Sequence, residues 1–323
     1  MRYGTIAGVD TPASRIAQGT VMLNDSNAEF GLELFDAVFE SGITLFDSAH
    51  VYGGGGSDRT FGKWVRERGV RDKIVLMDKC CHHSRDRRRV TPFDITADLH
   101  DCLARLGFDC IDVFSFHRDD PAQPVGPLVE RFNRHIEEGK IRAYGASNWT
   151  HERIAEAIDY AESNGLVPMA VSSPHYSLAE CCEDPWGGGS ISITGPEGTA
   201  AREWYAANQM PVLPWSSLSG GFFSERFTPD NLEGFEDGGD QRCVRCYCSE
   251  DNFRRLGRAK ELAEQKGATV CQIALAWTIC GAMNVYPLMA AWTAEQAAEN
   301  AAAGDIELTA DEVAWLNLEG DER

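Results

Sequence analysis

A (β/α)8 TIM barrel in a single domain, spanning residues 1–323, is the fold this sequence predicts. Two observations point to it. Apolar strand candidates alternate with amphipathic helix candidates almost to the end of the chain, the pattern of parallel βα units. A polar or aromatic residue closes the apolar run in successive units, at Asp47, Lys79, His117, Ser147, Ser173 and Trp215, which would share one carboxyl-end rim. An open doubly wound sheet is the architectural alternative. The length of 323 residues suits one barrel as well as two smaller domains.

In chain order, Arg15 to Val21 reads as the first strand and Ala28 to Ser41 as its helix. The stretch GITLFDSAHVYGGGGSD then gives a strand over Ile43 to Phe46, an abrupt Asp47, Tyr52, four glycines and a helix near Ser57 to Gly69. Lys73 to Met77 is the third strand. Ile95, Leu99, Leu103 and Leu106 recur at the helical period, which predicts a helix over Asp94 to Leu106. Cys110 to Phe116 and Val125 to Glu138 form the fourth unit. Lys140 to Gly145 and Val167 to Val171 supply the fifth and sixth strands, with a helix between them that starts after Thr150, a good N-cap. Met210 to Trp215 and Met283 to Leu288 complete the eight. Asp251 to Gly267 and Thr269 to Cys280 read as outer helices with apolar faces.

Composition narrows the function. Hydrophobic residues make up 43% and charged residues 25%, enough for a sizeable core. Thirty basic against fifty acidic residues give a formal charge of −20, which opposes nucleic acid or an anionic membrane as partner and favours a small molecule. No apolar run approaches the roughly 18 residues of a spanning helix, and the N-terminal stretch lacks a signal-peptide core, so a cytoplasmic protein is expected. Eleven cysteines, some adjacent as Cys80–Cys81 and Cys181–Cys182, suit reduced thiols better than a disulfide framework. Cys243, Cys246 and Cys248, even with Cys80 to His83, lack the paired spacing of a zinc site, and no metal is expected. Gly53 to Gly56 lack the residues that follow a phosphate-binding loop and read as a turn.

Asp47, Tyr52, Lys79 and His117 together suit carbonyl chemistry. Hydride addition to a carbonyl leaves an alkoxide that needs a proton, and a phenol at the rim can deliver it. A free phenol titrates near pH 10, so Lys79 is expected to lower the Tyr52 pKa, with Asp47 holding Lys79 and His117 orienting the oxygen or sharing the proton.

The same segments resemble the aldo-keto reductases. FDSAHVYG is similar to that family's FDTA-x-x-YG, MDK to its TK, and FSFHRDD to its L-x-HRxD. GKIRAYGASNW resembles its GKiRxiGvSN, WSSLSGG its xSPLxxG, and EQAAEN its closing QxxEN. The resemblance runs through nearly the whole chain in order. It implies a nicotinamide cofactor, NADPH or NADH, bound without a Rossmann domain, and Asp47, Tyr52, Lys79 and His117 as the catalytic tetrad. It further implies Ser147 and Asn148 on the carboxamide, Trp215 stacked on the nicotinamide, Ser216, Leu218 and Gly220 at the pyrophosphate, and Gln296, Glu299 and Asn300 near the adenosine.

Two departures stand out. Ser173 occupies a position where the family often has Gln, and a serine reaches less far. The segment MAAWTAEQAAEN, Met289 to Asn300, has no basic residue where many members hold the 2′-phosphate of NADP, so weakened NADP preference is expected. Long loops over Glu180 to Gly198 and Ser216 to Ser249 follow the sixth and seventh strands, and loops of such length are usually functional or disordered. Trp149 and Trp186 are candidate substrate-wall residues. The activity expected is interconversion of an aldehyde or ketone with its alcohol. A cofactor-sensing regulatory subunit of the same fold, or a lyase or epimerase working by transient oxidation, is the alternative.

Overall fold

A computed structural model describes residues 1–320. Two short strands, β1 (Tyr3–Ile6) and β2 (Val9–Ser14), pair antiparallel. The parallel strands follow: β3 (Ala17–Gly19), β4 (Leu45–Asp47), β5 (Val75–Cys80), β6 (Ile111–Phe116), β7 (Ile141–Ser147), β8 (Val171–Ser173) and β9 (Leu288–Met289). They form one sheet in the order β8, β7, β6, β5, β4, β3, β9. Val212 closes the ring, pairing in parallel with Ser172 on one side and Val285 on the other. Backbone bonds from Leu213 N to Ser172 O (2.8 Å), Val212 N to Asn284 O (2.9 Å) and Ala17 N to Pro287 O (3.0 Å) run through that seam. The eight staves make the predicted (β/α)8 barrel.

The strands read as continuous apolar runs because both faces are covered. Inside the barrel, Ala17, Leu45, Val75, Met77, Val113, Leu213 and Tyr286 pack together, with Ile6, Val9 and Ala13 of the hairpin among them. Helices α1 (Ala28–Glu40), α2 (Gly56–Arg68), α3 (Pro92–Leu106), α4 (Val125–Glu137) and α5 (His151–Ser163) enclose the first staves. After β8 come α6 (Thr199–Asn208), α7 (Gly238–Tyr247), α8 (Glu250–Lys266), α9 (Val270–Ile279), α10 (Ala294–Ala303) and α11 (Ala310–Leu316). Thr150 caps α5 by accepting from Arg153 N, as its place before the helix predicts.

Strand ends differ from the sequence reading. β5 continues past Met77 through Asp78 and Lys79 to Cys80, all ladder-bonded to β6, and β7 runs on to Ser147. Polar side chains stop an apolar run but not a ladder, so the staves carry their chemistry inside the sheet. The hairpin was not anticipated from the sequence. Its signal is the two-residue Ala7–Gly8 turn, with Gly8 at φ 82°. The Ser216 to Ser249 segment is not a plain loop, since α7 forms within it.

One aromatic cluster positions the first half of the rim. Phe46 on β4 packs on Phe61 of α2 at 5.0 Å, and Phe61 meets Phe35 of α1 edge to face at 5.2 Å. All three are fully buried, contributing roughly 1.5–3 kcal/mol each, and they lock α2 against the strand that ends in Asp47.

Candidate active site

The carboxyl ends of the strands open into a cavity of about 980 Å³, lined by Asp47, Tyr52, Lys79 and His117 among others. The turn Tyr52–Gly55 presents the phenol there. Its glycines are required by shape: Gly53, Gly54 and Gly55 have φ of 55°, 61° and 86°, and a Cβ on Gly53 would lie 2.2 Å from Leu23 O. Lys79 Nζ pairs with Asp47 Oδ1 and donates to Ser48 O at 2.9 Å. It also stands 5.3 Å from the centre of the Tyr52 ring. The His117 imidazole meets that ring edge to face at 5.6 Å. The structure therefore brings together all four members of the expected tetrad.

Burial disfavours the Lys79 ammonium, but Asp47, then Tyr52 and Asp78, outweigh it and raise its pKa, so the charge is kept. His117 is pushed well below the ordinary imidazole value by burial and by the nearby Lys79 and His82, which makes it neutral. The expected lowering of Tyr52 does not occur. Burial of the phenol raises its pKa, and Lys79 opposes that without overcoming it. Tyr52 is thus held as the protonated acid. His82, its ring 4.7 Å from that of His117, is likewise kept neutral, by burial first.

Directly behind Lys79 lies a buried acidic pair. Asp58, Asp78 and Cys102 place their ligating atoms within 4.8 Å of one another, and one oxygen of each carboxylate has no hydrogen-bond partner. Ser48 Oγ donates to the other oxygen of Asp58 at 2.6 Å, and Lys79 N to that of Asp78 at 2.7 Å. Burial, then the charge of Asp58, raises the Asp78 pKa well above its ordinary 3.8. A raised carboxyl pKa means that the folded chain binds the extra proton. Stability from this group is full below about pH 4 and is lost as pH rises through the folded-state value. Asp78→Asn should therefore raise the melting temperature at pH 8 by something of order 3 °C and flatten its decline as pH rises above the ordinary carboxyl range. Identical declines in variant and parent, followed by differential scanning calorimetry, would contradict this.

The expected cofactor residues divide. Ser147, Asn148, Trp215, Ser216, Leu218, Gly220, Gln296, Glu299 and Asn300 all line the cavity. Asn148 is saturated: Nδ2 donates to His117 O and Ser147 Oγ, and Oδ1 accepts from Ile191 N and Trp215 Nε1, both at 3.2 Å. It fixes the indole of Trp215 rather than offering a free amide. Ser216, Ser219, Gly220 and Gly221 have positive φ, a curled backbone in which Ser219 N donates to Ser216 O at 2.7 Å and Gly221 N to Leu218 O at 3.1 Å. Glu299 is engaged by Thr269 Oγ1 at 2.6 Å, and Gln296 by Trp292 N at 2.8 Å.

Two expectations are corrected. Ser173 is fully buried beneath Ser147 and contributes no cavity surface; only its carbonyl is used, accepting from Ser147 Oγ at 2.7 Å. Trp149 is 1% exposed, stacked on Phe116 at 4.7 Å with its Nε1 donating to Arg118 O, so it is a core residue rather than a substrate wall. Trp186 does line the cavity, and the guanidinium of Arg242 from α7 stacks on it at 4.4 Å, joining the two long loops across the mouth. The sequence reading did not single out His175, which sits behind Trp215 with ring centres 4.8 Å apart. Its nitrogens bond Ser192 Oγ and Tyr247 Oη, and burial lowers its pKa to about 3. Arg118 and His82 also line the cavity; the sequence reading quoted Arg118 within FSFHRDD and weighed His82 only for zinc, and assigned neither a role in the site.

Comparison with known proteins agrees with this fold. The Aldo/keto reductase family matches residues 15–317. The uncharacterized oxidoreductase YrpG of Bacillus subtilis is 24% identical over 98% of this chain and 95% of its own length. A probable voltage-gated potassium channel subunit beta of Oryza sativa is 25% identical over 95% and 92%. The crystal structure of an aldo-keto reductase from Klebsiella pneumoniae in complex with NADPH superposes with a TM-score of 0.72 at 23% identity, covering 100% of this chain and 98% of that one. Matched through nearly its whole length, the chain belongs to the aldo/keto reductase family.

Proposed function

We propose that the protein interconverts a small aldehyde or ketone with its alcohol, using a nicotinamide cofactor. The observation that carries this reading is the convergence of a protonated Tyr52, a charged Lys79 paired with Asp47, and a neutral His117 on one cavity wall. When bound, reduced nicotinamide supplies a hydride. Trp215 would hold its ring, the curled backbone at Ser216 to Gly221 its diphosphate, and Gln296, Glu299 and Asn300 its far end. Tyr52 donates the phenolic proton to the carbonyl oxygen as negative charge develops there. Lys79 stabilises the phenolate left behind, and Asp47 keeps Lys79 in place. His117, neutral, donates a hydrogen bond to the same oxygen and does not compete as the acid.

The far end of the cavity supports use of NADH as well as NADPH. No basic residue lies in Met289 to Asn300, and Arg226, a nearby cation, is already held by Asp240 through bonds of 2.8 and 3.1 Å. A 2′-phosphate there would meet Glu299 without a free partner. A panel of carbonyls and alcohols, followed at the nicotinamide absorbance, should show turnover with both cofactors, with dissociation constants within about tenfold of each other. Much tighter NADPH than NADH binding would overturn the cofactor assignment, and silence across the panel would overturn the activity. The similarity to a channel beta subunit supports a second reading, a regulatory subunit that binds the nucleotide without turnover.

A further inference from the structure

We infer that the substrate carries a carboxylate and that Arg118 receives it; this rests on the carbonyl-reductase reading above. Two arginines are buried among the described residues. Arg255 is 4% exposed and pairs with Glu180, whereas Arg118, at 8%, has no carboxylate within 4.0 Å. Arg118 Nη1 donates to Gly189 O at 3.0 Å and to Ser190 Oγ at 3.1 Å, which pins the guanidinium against the first long loop. Its Nε and Nη2 bond no protein group among the described residues, and the side chain lines the cavity beside His117, Tyr52 and Trp186.

The unbonded donors open onto the cavity rather than into the protein interior, and a planar guanidinium fork matches a carboxylate in two parallel bonds. No protein group is placed to supply one. Asp184 acts on Arg118 only from a distance, and its oxygens already accept from Trp186 N at 2.7 Å and Ser190 N at 2.9 Å. Asp47 is occupied by Lys79, and the adjacent His82 and His117 are neutral. Arg242, stacked on Trp186 at the mouth, adds a second cation to the same side. Since the chain as a whole carries −20, its long-range field repels anions. Selection for a carboxylate must therefore come from the short-range contact with Arg118.

A matched pair tests the inference: 4-carboxybenzaldehyde and its methyl ester, compared by kcat/KM. The parent should favour the acid at least about tenfold, Arg118→Met should bring the ratio to near one, and Arg118→Lys should keep part of it. A merely structural role through Gly189 and Ser190 would lower both rates and leave the ratio unmoved. Equal rates in the parent, or a preference that survives in Arg118→Met, would overturn the inference. If neither aldehyde turns over, the reductase reading fails, and calorimetric titration of 4-(hydroxymethyl)benzoate against its methyl ester, with and without NADP, decides the anion site by itself. Tighter binding of the acid upholds the site and equal binding rejects it.

Discussion

Replacing Tyr52 by phenylalanine lowers the turnover number for carbonyl reduction by about 10² to 10⁴, the range expected when a positioned general acid is lost. The substitution removes one oxygen and leaves a ring of the same shape. The turn over Tyr52–Gly55 is held by backbone conformation and the close approach of Gly53 to Leu23, neither of which involves the hydroxyl. Nucleotide affinity should therefore stay within about twofold, because Trp215 and the backbone at Ser216 to Gly221 are untouched. Steady-state kinetics with a parallel fluorescence titration of NADPH separates the two effects. Retained turnover, within about tenfold of the parent, would rule out Tyr52 as the acid.

Lys79→Met acts on both chemistry and stability. Lys79 and Asp47 are 3% and 4% exposed, so removing the ammonium leaves a buried carboxylate without its partner. Breaking one side of a buried pair costs about 3–5 kcal/mol, which corresponds to a melting temperature lower by on the order of 10 °C. Turnover falls as well, since the opposing influence of Lys79 on the raised Tyr52 pKa disappears. The double variant Asp47→Asn/Lys79→Met should recover much of the lost stability and none of the activity, since it removes the unpaired charge without restoring the cation. Thermal unfolding followed by circular dichroism checks this. A single variant melting within about 2 °C of the parent would mean that the pair does not hold the rim together.

Much of this was legible in the sequence, and the reason is physical. Apolar runs ending in Asp47, Lys79, His117 and Ser147 mark staves buried on both faces whose rim must be polar. The resemblance of six spaced segments gave order to those residues. What was not legible depends on three-dimensional closure. Trp149 and Trp186 look alike in sequence as aromatic residues near the rim, yet one stacks on Phe116 in the core and the other is 53% exposed at the mouth. The direction of the Tyr52 shift was misjudged because desolvation competes with the Lys79 charge, and burial is not readable from spacing. Asp58 and Asp78 are twenty residues apart on α2 and β5, and nothing local announces that they share one buried pocket. Arg118 stood within a quoted motif, but its lack of a partner is a property of the folded surroundings.

The central claim is that hydride passes directly between a nicotinamide and a carbonyl carbon in this cavity. NADPH deuterated at the transferable position of nicotinamide C4 tests it most directly, incubated with the protein and 4-carboxybenzaldehyde and followed by mass spectrometry of the alcohol. The account predicts one deuterium on the carbinol carbon for each cofactor oxidised, at a rate lowered about 10² to 10⁴ in Tyr52→Phe. Alcohol formed without deuterium, or tight cofactor binding with no transfer to any carbonyl offered, would contradict it.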